Sequence, residues 1–174
     1  MDHTEGPFAL VSSPGYTRGR DTLRVIADVL DEAEVSFEED PETQVQGYEE
    51  RDLPEQLAYF RSLPYDALLH PEAEGGCLEA WQEDREWVIQ TAKVALVDFT
   101  HAPDRASATL ALCQRLRPEP GSTIAISRQK QRLTMPEGIR HIVYRSRANL
   151  SRLLRKELSL NTVALKGSTA SRSR

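Results

Sequence analysis

Short uninterrupted apolar runs alternate along this chain with stretches whose apolar residues recur every three or four positions, and that alternation constrains the fold most. The runs at 94–97 (VALV) and 123–126 (TIAI) are too short for helices and lack an alternating polar face, so they read as strands buried on both sides. Residues 8–11 in PFALVSS, the brief VSF at 35–37 and IRHIVY at 139–144 supply three more extended segments. Between them lie helical stripes: Leu23, Ile26, Leu30 and Ala33; then Trp81, Val88 and Ala92; then Ala106, Leu110, Cys113 and Leu116. Asn149 or Ser151 caps a closing helix with Leu150, Leu153, Leu154 and Leu158 on one face. The order β-α-β-α-β-α-β-β-α predicts an α/β fold, an open and mostly parallel five-stranded sheet in a flavodoxin-like or Rossmann-like three-layer sandwich.

One domain accommodates this pattern. The chain has 174 residues, 39% of them hydrophobic and 28% charged, as expected of a globular protein with a real core. Residues 1–160 read as a single α/β domain. An acidic insertion interrupts it at about 38–76, where Pro41, Pro54, Pro64, Pro71 and the pair Gly75-Gly76 break the pattern. The ending, 161–174, reads as a disordered basic tail. The first residues carry no apolar core of signal-peptide length, and no apolar run is long enough to cross a bilayer, so a cytoplasmic protein without a membrane partner is expected. Cys77 and Cys113 have no paired cysteine or neighbouring histidine ligands and read as free buried thiols.

Charge is divided unevenly. Residues 1–90 hold 22 Asp and Glu against 6 Arg, a net of −16, whereas residues 91–174 hold 16 Lys and Arg against 5 Asp and Glu, a net of +11. Placed on opposite edges of an open sheet, the halves would steer an anionic ligand toward the basic side or promote head-to-tail homo-oligomers. The Arg-rich run from Arg140 to Lys156 raises nucleic acid as a partner, but aromatic platforms are scarce there and the whole chain is acidic, which argues against it.

In wound sheets of this type ligands bind at the carboxyl ends of the strands, where the strand order reverses. Three loops are expected to meet there: SSPGYTRGR with Ser12, Ser13, Pro14, Gly15 and Arg18; DFTHAPDR with Asp98, Thr100, His101 and Arg105; and SRQKQR with Ser127 and Arg128. Their guanidinium groups beside a helix N-terminus suit phosphate. Asp98 equally fits a turn role satisfying backbone donors, Asp104 a helix cap, and His101 a plain loop histidine. His3, His70 and His141 are too scattered for a metal site. Neither a P-loop nor a G-x-G-x-x-G motif occurs, and no cofactor is expected.

The segment DFTHAPDRASATLALCQRL, after an apolar strand, resembles nucleoside 2-deoxyribosyltransferase-like proteins, a superfamily that includes nucleotide N-glycosidases and is structurally related to the TIR domain. Their pattern, D-[LF]-T followed by N-V-x-x-E-L-G-x-A-x-x-L, is matched without a gap at Asp98, Phe99, Thr100, Leu110 and Leu116. Asp84, Ile89 and Ala92 fill places in the preceding helix-strand unit, SSP at 12–14 is similar to the loop that lies against sugar or phosphate, and TIAIS to the strand after the catalytic helix.

The resemblance implies a catalytic glutamate at position 109, where a fixed carboxylate would offset the oxocarbenium character that develops as an N-glycosidic bond breaks. This chain has Thr109 there, with Arg105 in place of an asparagine and Ala111 in place of a glycine. A threonine hydroxyl carries no charge near neutral pH and is a poor nucleophile without a base. The expected function is therefore a nucleotide- or nucleoside-binding domain without standard N-glycosidase activity. A TIR-like module assembling through its acidic and basic edges is the alternative from another class. An N-glycoside hydrolase using a displaced acid is a further one, with Asp84 and Glu83 as candidates.

Overall fold

The computed structural model describes residues 6–40, 76–117 and 119–172, with side chains described for all of these except 16–20, 76–81, 120 and 160–172. The insertion between 41 and 75 lies outside the described residues. Five strands form one sheet: β1 (Ala9–Ser12), β2 (Phe37–Glu39), β3 (Val94–Asp98), β4 (Thr123–Arg128) and β5 (Arg140–Tyr144). Among the described residues four α-helices accompany them: α1 (Tyr16–Glu32), α2 (Gly76–Thr91), α3 (Pro103–Leu116) and α4 (Arg147–Arg172). The sheet is parallel throughout, in the order β2-β1-β3-β4-β5.

Burial along each strand follows its place in that order. The interior strands β1 and β3 are buried at every position, and β4 at all but its last. Edge strands β2 and β5 are only partly covered, which is why their sequences mix charged and apolar residues. Alternate side chains feed two cores. On one face Ala9, Val11, Leu96, Ile124, Ile126 and Ile142 meet Leu23, Ile26, Val29 and Leu30 of α1 and Leu150, Leu154 and Leu158 of α4. On the other, Leu10, Ala95, Val97 and Ala125 meet Val88, Ile89 and Ala92 at the end of α2 and Ala106, Leu110 and Cys113 of α3. Leu133, Met135 and Ile139 from the β4–β5 connection pack against this second core, so that basic loop is anchored by its apolar residues.

Several boundaries differ from the sequence reading. Helix α4 begins at Arg147, ahead of the expected caps Asn149 and Ser151, and the Ser146 hydroxyl before it accepts from Asn149 N at 3.2 Å. Helix α1 begins at Tyr16, within the stretch read as loop, because Gly15 adopts the left-handed conformation (φ 95°, ψ 57°) that turns the chain directly from β1 into the helix. Strand β2 takes in Glu38 and Glu39, which were assigned to the insertion: Leu10 pairs with Glu38 and Val11 with Glu39, since backbone pairing at a sheet edge tolerates charged side chains. Helix α4 continues to Arg172, through most of the segment read as a disordered tail. Among the described residues no helix is long and apolar enough to cross a membrane.

Candidate functional site

Strand order reverses between β1 and β3, the position at which wound sheets open a crevice at their carboxyl ends. Side chains from the two flanking loops meet there. Ser13 Oγ donates to Asp98 Oδ2 at 2.8 Å, while Thr100 gives its backbone N–H (3.0 Å) and its hydroxyl (2.6 Å) to Asp98 Oδ1. Asp98 is fully buried, and that desolvation raises its pKa, against the lowering effect of the hydrogen bonds it accepts. Its turn role, satisfying the donors of its own loop, is the one seen. The Thr100 hydroxyl also shares a hydrogen bond of 2.8 Å with the Tyr144 hydroxyl at the end of β5, so one chain of polar contacts runs from β1 through β3 to β5.

The loop after β1 is fitted closely to the loop after β3. A Cβ at Gly15 would lie 2.8 Å from His101 Cβ, so this position needs glycine both for its backbone angles and for space. His101 Nε2 sits 3.1 Å from Thr22 Oγ1 of α1, which orients the ring against that helix. Pro14 is buried beside Ser12 and Ser13. Arg18 lies in the first turns of α1, and its side chain is outside the described residues. Arg105 is exposed on the first turn of α3.

Thr109 stands where the resemblance implies a glutamate. It is buried on α3, 1% exposed, and its hydroxyl accepts a hydrogen bond from Arg85 Nη2 at 3.2 Å. The same guanidinium grips Asp40 through Nε (2.8 Å to Oδ1) and Nη2 (3.1 Å to Oδ2), and Ser12 Oγ donates to Asp40 Oδ2 at 2.9 Å. Asp40 stands at the carboxyl end of β2, with its backbone N–H on Val11 O. The acid at this corner of the sheet is therefore supplied by β2, and a forked arginine already neutralises it. Both oxygens of that carboxylate are engaged in this way, and Thr109, a neutral hydroxyl, offers no nucleophile in its place.

The acids named from the sequence lie on α2, beside Arg85. Glu83 is exposed on α2 and Asp84 half-buried. Glu38 has its pKa raised first by burial and then by the nearby charge of Asp84, a repulsion between like charges at the edge of the sheet.

On the far side, β4 and β5 carry a second group. Ser127 is buried, and its hydroxyl lies 2.7 Å from His141 Nε2, with the pKa of His141 lowered by burial. Gln131 ties the loops after β3 and β4 together, accepting from Arg128 N and donating to Phe99 O, both at 2.8 Å. Beyond it opens a cleft of about 320 Å³ lined by Arg128, Gln129, Lys130, Tyr144 and Arg145. Arg128 lies over the Tyr144 ring, 5.9 Å from its centre. Cys113, whose thiol burial pushes up to about 11, is a free cysteine inside the second core.

Sequence reasoning missed Asp40, Arg85, Gln131, Tyr144 and Arg145 as members of these groups. The signal for Asp40 was available in principle, as an acidic residue closing an extended segment. It was hidden by the acids just before it, Glu38 and Glu39. Comparison with protein-family models, with curated proteins and with solved structures finds no match to this chain.

Proposed function

We propose that this chain is a nucleotide- or nucleoside-binding domain that lacks the standard N-glycosidase chemistry of the superfamily it resembles. One observation supports this most directly: Thr109, at the position of the expected glutamate, is buried against an arginine already paired with Asp40. Among the described residues, a ligand bound at the reversal of strand order would meet hydroxyls, backbone donors and cations, while the carboxylates of Asp40 and Asp98 are already engaged by Arg85, Ser12, Ser13 and Thr100. Loss of a carboxylate placed to stabilise a sugar cation removes several orders of magnitude in rate. Thermal unfolding with a panel of nucleosides and nucleotides tests the binding. At a concentration one hundred times its Kd, a ligand adds about 2.7 kcal/mol of stability, an increase of several degrees in Tm. Overnight incubation of the same compounds should release no free base above the blank. Base release that disappears in Asp84→Asn would instead establish the displaced-acid hydrolase.

Assembly through opposite edges is a second reading, favoured by Glu38 and Glu39 on edge strand β2 and by Arg128 and Arg145 at the ends of β4 and β5, on the opposite side of the sheet. Light scattering at low ionic strength would then show particles larger than one chain, dispersing as salt is added.

A further inference from the structure

We infer that the cleft between the ends of β4 and β5 is the seat of a phosphoryl group, so that the ligand class is a small phosphate monoester whose phosphate occupies this cleft. The inference rests on the nucleotide-binding reading and locates one end of that ligand. Among the described residues, Arg128, Lys130 and Arg145 make three of the five that line the cleft cationic, and none of the five is a carboxylate. Three like charges around one cavity repel one another, and an anion among them removes that repulsion.

The side chains are also held for the purpose. Arg145 donates Nε to Gln129 Oε1 at 2.8 Å, and its backbone N–H is fixed by Asn149 Oδ1 at 2.9 Å. Arg128 is steadied over Tyr144, and its Nε is buried without a hydrogen-bond partner. The planar forks of Arg128 and Arg145 match the geometry of phosphate oxygens. The volume of about 320 Å³ is at the lower end of small-molecule sites, which run from roughly 300 to 1,000 Å³. Such a space suits a phosphate with its adjoining sugar better than a whole dinucleotide. Continuity with the crevice is provided by Tyr144, whose ring borders the cleft while its hydroxyl contacts Thr100.

Binding of nucleoside monophosphates, matched nucleosides and inorganic phosphate is measured by titration calorimetry at constant ionic strength, on the parent chain and on Lys130→Gln/Arg145→Gln. Both substituted side chains are exposed, so the fold is retained. Monophosphates are expected to bind the parent at least tenfold more tightly than the nucleosides. The double variant should weaken them tenfold or more, about 1.4 kcal/mol, and leave nucleosides unchanged. Monophosphate affinity unchanged in the variant overturns the cleft assignment, even where nucleosides still bind and the functional reading stands. Phosphate and monophosphates bound in a Lys130- and Arg145-dependent way, with nucleosides not bound at all, would sustain the cleft and overturn nucleoside recognition at the crevice.

Discussion

Asp40 and Arg85 form a pair whose members cannot be removed singly without consequence. Their side chains are 1% and 14% exposed, so either one left alone becomes a buried charge with its hydrogen bonds unmade. Breaking such a pair typically costs 3–5 kcal/mol, roughly, whereas replacing both partners with apolar groups of similar volume is far cheaper. Asp40→Leu and Arg85→Met are each expected to lower stability by about that amount, and the double variant by clearly less than the sum of the two. Urea unfolding of the four proteins checks this, and additive losses would show that the pair is not coupled. Thr109 belongs to the same unit. Its hydroxyl adds a third acceptor for Arg85, so its place in the fold is explained without catalysis. From the sequence it was legible only that position 109 lacked a charge. What the hydroxyl does instead depends on Arg85, 24 residues away in sequence and on another helix.

Helix α2 and strand β5 illustrate how an element is completed from outside itself. The carboxyl end of α2 is closed by Arg117, whose Nη1 donates to Ile89 O (2.7 Å) and Ala92 O (2.9 Å), while Nη2 reaches Lys93 O (3.2 Å) and Ser122 Oγ (2.8 Å). Carbonyls left over at a helix end need such donors, and a cation there also opposes the helix dipole. Burial lowers the pKa of Arg117 from its very high ordinary value. Arg117→Met should cost about 2–4 kcal/mol, because several buried carbonyls lose their partner at once. Arg117→Lys should recover only part of that, since a single ammonium cannot span the same set. The shift of the urea midpoint measures both.

Strand β5 is linked to β4 by His141 and Ser127. Burial depresses the pKa of His141 below its ordinary 6.5, so the folded protein binds that proton less readily than the unfolded chain. The contribution is present above about pH 6.5 and falls away as pH drops through the folded value. Parent and His141→Gln are therefore expected to diverge between pH 7.5 and pH 5, the parent losing more stability on acidification. Parallel profiles would contradict this. The elements themselves were legible in their apolar spacing. Their partners were not, because a lone arginine after a helix or a histidine in a strand has no periodicity that reveals what it touches.

For the molecule as a whole, the strand order puts Glu38 and Glu39 of β2 at one edge of the sheet and Arg128 and Arg145 at the other. Helix α1 from the acidic half and α4 from the basic half lie side by side instead, and pair Glu32 with Arg155 and Asp21 with Arg147. An anionic ligand is then drawn toward the edge that carries the cleft. Stopped-flow association of a nucleoside monophosphate should slow by about tenfold or more between 20 mM and 500 mM salt, while dissociation changes less. An association rate independent of salt would remove steering as a factor. By itself the sequence determined the strands and helices seen among the described residues and the layered α/β class, because burial on one or both faces writes itself into apolar spacing. It also brought Ser13, Asp98 and Thr100 to a common rim, since parallel strands joined by helices leave successive loops on the same side. Only the tertiary structure decided that β1 pairs with both β2 and β3, that Asp40 supplies the carboxylate which Arg85 neutralises beside Thr109, and that Arg145 joins Arg128 and Lys130 around one cleft. Those pairings join residues far apart in the chain through charge and hydrogen bonding, and such contacts leave no repeating mark in the order of amino acids.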